Sequence, residues 1–191
     1  MFAGAEQKLE DAWTILQQLE VAADAPAFRS LFNSFLSASR AITYALQKGG
    51  ARLRGFDEWY VEKQAEMKAD DLLRFIHKAR TEDFHEGKHR LVFDTYIAHL
   101  SGGEAGPPPA PGAPLIIGAD GPFWLMDEGT PRERRIPVRR GSFATRIAIA
   151  NPPRTHMGSN LEQTDPLSIC RLALGYLQNL VHEAKTRFGA P

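Results

Sequence analysis

The sequence predicts a mainly α fold: an antiparallel helical bundle with a small inserted antiparallel β-sheet. Three observations predict it. Apolar residues recur at helical spacing through the first 86 residues and again after residue 165. Between those stretches lie short runs rich in β-branched and aromatic residues, separated by turn residues. The chain of 191 residues, 43% hydrophobic and 24% charged, is long and apolar enough for one core, which excludes a wholly disordered polymer.

Each element has its own signal. Ala5, Leu9, Ala12, Trp13, Leu16 and Leu19 form the stripe of a first helix. Asp24 caps a second and Pro26 suits its first turn. Phe28, Leu31, Phe32, Phe35, Leu36, Ile42 and Leu46 give that helix its apolar face, and Gly49-Gly50 ends it. Phe56-Asp57 opens a third helix, with Asp57 as the expected cap and Trp59, Tyr60, Gln64 and Met67 along it. Asp70 caps a fourth, with Leu72, Leu73, Phe75, Ile76 and Ala79 facing inward and Gly87 as its stop. Helices one to four thus occupy residues 1–87.

Residues 88–150 carry the insertion. Strands are expected at 90–99, 115–117, 123–126, 135–138 and 144–149, with Asp120-Gly121 as a hairpin signal. Pro137 cannot donate to a ladder, so its strand belongs at an edge. The Gly/Pro stretch 101–114, with three prolines at 107–109, forbids helix and reads as a long exposed loop. Asp165 then caps a closing helix over 165–188. About 77 residues follow the loop, too few to suggest an independent second half, so residues 1–191 are expected to form a single domain.

Composition excludes several classes. No apolar run approaches the ~20 residues of a membrane span. The opening MFAGAEQKLEDAW lacks a basic segment followed by an apolar one, so no secretory signal is expected. Cys170 is the only cysteine, which rules out an internal disulfide and suits a reduced, cytoplasmic protein. Net charge is zero, with 23 basic and 23 acidic residues, so global charge selects no partner. Locally, residues 132–154 hold seven arginines and one acid, Glu133. That stretch, Arg135, Arg139 and Arg140 included, is either a solvated hairpin surface or a track for an anion.

The chemistry concentrates at Lys78–Arg90, where two motifs overlap. His85-Glu86-Gly-Lys-His89 matches H-E-x-x-H, which on a helix puts two imidazoles on one face for zinc, with the glutamate as base. Gly87 argues against it: a helix ending there removes His89 from that face. The longer form of the motif is also absent, since Val92 and Thr95 occupy its positions. The second motif is Arg80-x4-His85. Histidine exchanges protons near neutral pH, and arginine holds phosphate in a planar fork. Together they supply what RNA phosphodiester cleavage needs: base, acid and positive charge. Residues five apart on a helix differ by about 140°. One helix therefore does not converge the pair, whereas a two-fold dimer brings two copies of each to one groove. The bland alternative pairs Arg80 with Glu82, Asp83 or Glu86 and leaves His85 at the helix end, where a cation is favoured.

The all-helical first half, its aromatic-rich second helix 28–40, the Phe56-Asp-Glu-Trp-Tyr60 turn and the Arg80-x4-His85 pair resemble the HEPN superfamily. The resemblance covers about residues 5–87 and, more loosely, the last helix. Thr81 stands where that family often has Asn after the arginine. The resemblance implies a helical bundle acting as a homodimer and a metal-independent endoribonuclease, with Arg80 and His85 catalytic and no cofactor. The alternative it admits is a non-catalytic dimeric module that binds a nucleotide or a protein partner. A zinc hydrolase through His85, Glu86 and His89 is the third alternative. Arg40, inside the second helix's apolar stripe, is expected to pair with a helix-three acid or to line the groove, and His77 lies one turn before Arg80. Trp59 and Tyr60 read as core anchors, and Cys170 as a small buried hydrophobe.

Overall fold

A computed structural model of the chain describes residues 2–86, 90–99, 109–111, 113–118, 121–137 and 142–189. Within these, residues 83–86, 94–99, 117–118, 121–122 and 142–145 are described by backbone alone. The elements are α1 (Ala3–Glu20), α2 (Ala25–Gly50), α3 (Phe56–Ala69), α4 (Asp71–Glu86), β1 (Leu91–His99), β2 (Leu115–Gly118), β3 (Gly121–Met126), β4 (Arg134–Pro137), β5 (Ser142–Ile149), β6 (Thr155–His156), β7 (Ser159–Asn160) and α5 (Pro166–Phe188). They fall into two compact units. One comprises Met1–Phe93 with Ile147–Pro191 and holds all five helices; the other is Asp94–Arg146.

Helix starts follow the expected chemistry with one exception. The Ala27 N–H donates to the Asp24 carboxylate at 2.8 Å and Leu73 N–H to Asp70 at 2.9 Å. Asp165 accepts from both Leu167 and Ser168. These caps satisfy the orphan donors of α2, α4 and α5. The exception is α3. Gly55, at φ 77°, occupies the capping position, and Asp57 lies in the first turn, where its charge faces the positive end of the helix dipole. Helix α2 runs through Gly50 as the glycine pair suggested.

The helical unit is built around α2. Phe28, Phe32, Phe35, Leu36, Ile42 and Leu46 are buried along it, and α1, α4 and α5 pack against them. Leu16 and Leu19 of α1 and Ile169, Leu177 and Val181 of α5 complete the centre. Phe56, Trp59 and Tyr60 begin α3 as an aromatic knot, joined by Phe2 and Phe188, with ring centroids 5.4–6.3 Å apart. The Trp59 indole N–H reaches the Glu183 carboxylate at 2.8 Å. Trp59 and Tyr60 are thus the core anchors that their sequence suggested. Cys170 is fully buried, and burial pushes its thiol far above the ordinary range, which removes it as a nucleophile.

Among the described residues the strands form three sheets, where the sequence suggested one. β1 pairs with β5; β2, β3 and β4 form an antiparallel sheet in that order; β6 pairs with β7. Among the described residues β4 is an edge strand, and Pro137 lies on it opposite Phe123, as a residue without an N–H requires. Gly118 pairs with Gly121 at the β2–β3 hairpin end, and Asp120 lies outside the described residues, as do 101–108 of the Gly/Pro stretch. The β6–β7 hairpin has no announcement in the sequence. Its turn residues, Met157 and Gly158, both have positive φ, 48° and 79°. Methionine rarely adopts that conformation, so turn chemistry alone does not find it.

A test of the knot follows from Gly50. A Cβ built there collides with the ring of Phe56, which is fully buried and has no room to turn. Gly50→Ala is expected to destabilise the protein by about 1–3 kcal/mol despite alanine's better helix propensity, read as a lower urea midpoint with an unchanged slope.

Candidate functional site

Faces of four helices converge on one cleft of about 390 Å³ in the helical unit. Helix α2 contributes Leu36, Ser39, Arg40 and Thr43, and α4 contributes Leu73, Ile76, His77 and Arg80, with Arg74 beside them. Both sets share one helical pattern, i, i+3, i+4, i+7, which keeps them on one face. Helix α3 adds Tyr60, Gln64, Met67 and Lys68; α5 adds Ala173 and Leu177.

The cleft has a graded polarity. Leu36, Leu73, Ile76, Ala173 and Leu177 are buried and make an apolar floor. Arg40, Lys68, Arg74 and His77 are exposed at its mouth, and Arg80 is half-buried on its wall. No carboxylate lines it among the described residues. The described acids of α4 are themselves paired, Asp71 with Arg74 of the cleft itself. Glu82 binds Arg90 at 2.5–2.6 Å, and Asp71 binds Arg74 at 2.7 Å and the Arg154 N–H at 2.6 Å.

The buried hydroxyls are turned inward to protein. Ser39 donates to the Phe35 carbonyl at 2.9 Å, Thr43 to the Arg40 carbonyl at 2.9 Å, and Tyr60 to the Thr43 carbonyl at 3.0 Å. Burial raises the Tyr60 hydroxyl above its ordinary pKa, although the Arg40 charge opposes this, so it remains a neutral donor. Arg40 itself does not pair with an acid of α3; its Nη1 donates to Thr43 Oγ1 at 3.4 Å.

Arg40, His77 and Arg80 are therefore gathered at one place. Of the other expected site residues, only Arg135 has a described side chain. His85, Glu86 and His89 have side chains outside the described residues, so neither the Arg80–His85 pair nor the zinc motif is placed. Among the described residues no cluster of three or more His, Cys, Asp or Glu is set to hold a metal. Arg135 is exposed on β4 with its guanidinium 5.0 Å from the Phe123 ring centre, while Arg139 and Arg140 lie outside the described residues. Lys68 and Arg74 were not singled out by sequence, and Gln64 only as a residue of the third helix. The signal for Lys68 and Gln64 was the 60-64-67-68 spacing on α3, which places them on Tyr60's face.

A second cavity, of about 440 Å³, lies between α3, α5 and the β6–β7 hairpin and is mainly a latch. Tyr176 donates to Glu66 at 2.9 Å, and Lys63 bridges Glu66 and Glu183 at 3.3 and 3.0 Å. Asp70, which caps α4, also accepts from Met157 N–H at 2.7 Å and faces His156 Nδ1 at 3.1 Å. Burial alone would raise the Asp70 pKa. The two backbone N–H donors and His156 outweigh burial and hold the carboxyl below its usual value.

Over residues 2–91 the chain is similar to a family described as Bacteriophage lambda protein ea47. That span covers α1–α4, the stretch that supplies every cleft residue except Ala173 and Leu177. No curated protein and no solved structure matches the chain. No helix among the described residues is long and apolar enough to cross a membrane.

The latch gives a pH-dependent prediction. Because the folded state lowers the Asp70 pKa, its contribution is present above the unfolded value of about 3.9 and fades as pH falls below it. Asp70→Asn is expected to cost about 1–3 kcal/mol at pH 7. The gap between wild type and variant in urea denaturation should shrink steadily between pH 4 and pH 2.

Proposed function

We propose that the chain is a HEPN-like module whose helical unit receives a phosphate-bearing ligand in the cleft between α2, α3, α4 and α5. One observation carries this reading: Arg40, Lys68, His77 and Arg80 meet at a cleft that no described carboxylate lines. A cation-lined recess with a low-dielectric floor strengthens the attraction for an anion and focuses the field toward its mouth. Arginine supplies the fork that matches phosphate oxygens, and lysine a point charge. Nucleotides and RNA are the phosphate sources implied by the HEPN resemblance. The non-catalytic binding module needs only the groups gathered here.

The endoribonuclease is the second reading, favoured by the place of Arg80 on the same cleft wall. In it, Arg80 holds the scissile phosphate and His85 moves the proton, with both pairs meeting across a homodimer. His77, already at the mouth, is a neighbouring imidazole of suitable chemistry.

Two measurements separate the readings. Titration with fluorescently labelled single-stranded RNA should give binding that weakens as salt rises. Arg40→Ala should reduce affinity about tenfold, the loss of one charge-assisted phosphate contact; wild-type affinity in that variant ends the cleft proposal. RNA cleavage in EDTA by wild type, lost in both His85→Ala and Arg80→Ala, selects the nuclease. Binding without cleavage by a folded dimer or monomer selects the module.

A further inference from the structure

We infer that the cleft takes an organic phosphate by burying an apolar or aromatic body on its floor while the phosphate stays at the mouth, and that it does not read the hydrogen-bonding edges of that body. The inference rests on the reading above that an anion binds there, and it adds what the rest of the ligand must be.

The cleft's own chemistry argues for it. Its charge stands at the mouth and on one wall: Arg40 and Lys68 are exposed and Arg80 is half-buried, whereas Leu36, Leu73, Ile76 and Leu177 are buried below them. An inorganic anion would use the mouth and leave the floor wet. Water over an apolar floor is released when an apolar group replaces it, so a ligand with such a body gains affinity that a bare anion does not. The volume, about 390 Å³, lies within the range of small-molecule sites and holds a bicyclic ring with room for a linker.

Selectivity for an edge pattern needs uncommitted donors as well as acceptors at depth, and the buried hydroxyls keep only acceptor positions, which the amino group of adenine and the imino N–H of uracil meet alike. Ser39, Thr43 and Tyr60 have each given their proton to a backbone carbonyl of α2, at 2.9, 2.9 and 3.0 Å. The Gln64 side chain is hydrogen-bonded to Tyr60. A nucleobase entering this cleft is therefore held by its faces, against Tyr60, Met67 and the leucines, and exchanges of its ring substituents change little. A plain aromatic ring, which brings no polar edge to desolvate, is held at least as well.

The floor is wide because two of its residues are small. Ser39 on α2 and Ala173 on α5 are both buried and both line the cleft. Larger side chains at those positions would fill it.

The test is a calorimetric titration of the full chain with four probes at one ionic strength: inorganic phosphate, 2-naphthyl phosphate, AMP and UMP. The expected result is 2-naphthyl phosphate binding at least about tenfold more tightly than inorganic phosphate, the gain of a buried ring. It should bind no more weakly than AMP, with AMP and UMP within about threefold of each other. Arg40→Gln should weaken every probe by a similar factor. Met67→Gln, at a half-buried wall position that tolerates a polar side chain, should weaken only the probes with a ring. Equal affinity for inorganic and naphthyl phosphate overturns the inference and leaves the anion reading standing. A tenfold preference between AMP and UMP overturns it too, because an edge is then being read. No binding of any probe ends both.

Discussion

The constraint on which the structure depends is the apolar stripe of α2. It runs through a 26-residue helix, from Phe28 to Leu46, and no single partner helix covers it. Helices α1, α4 and α5 each cover part, and α3 reaches it through Tyr60, whose hydroxyl is tied to the Thr43 carbonyl. Burial of such a stripe is the dominant favourable term for a bundle of this size, and it fixes where every other helix must lie. The cleft is a consequence. Where the stripe changes from Leu36 to Ser39 and Thr43, the helices remain spaced by the large residues on either side, and the small ones leave room between them.

The chemistry of the cleft follows from the same arrangement. A serine or threonine inside a helix can return its hydroxyl to the carbonyl a turn earlier, which satisfies the group without a tertiary partner. Ser39 does this with Phe35 and Thr43 with Arg40. Polar residues are thereby buried at little cost while contributing no donor to the space they create. The cations stand further out because arginine and lysine keep their charged ends in water while their stems cover apolar surface. The result is a recess that is electrostatically selective at its opening and nearly indifferent below it.

The two halves of the site are secured differently. α2 is held mainly by packing along its length, with the Tyr60 hydroxyl bonded to its Thr43 carbonyl, whereas α4 is pinned at its start by Asp70. That one carboxylate caps α4, holds the β6–β7 turn through Met157 and faces His156. Asp71 adds a bond to the Arg154 backbone. The entry point of α4, and with it the line of Leu73, His77 and Arg80, is therefore set by a polar anchor from a part of the chain more than 80 residues away.

Much of this was legible in the sequence, for a physical reason: helix periodicity and caps are local. Asp24, Asp70 and Asp165 announce their helices because each satisfies backbone donors within three residues, and Pro137 announces an edge because it lacks a donor of its own. The spacing Arg40 within α2 and His77, Arg80 within α4 was also visible. What the sequence did not hold was which faces meet. The pairing of 36-39-40-43 with 73-76-77-80 and 60-64-67-68 depends on how the bundle closes, and closure is decided by summed burial over distant residues. The Met157–Gly158 turn was hidden for the related reason that its strain is offset by a bond to Asp70, a partner no local pattern can reveal. Local chemistry thus determined the helices and their charges; only tertiary packing decided that these charges would share an apolar recess.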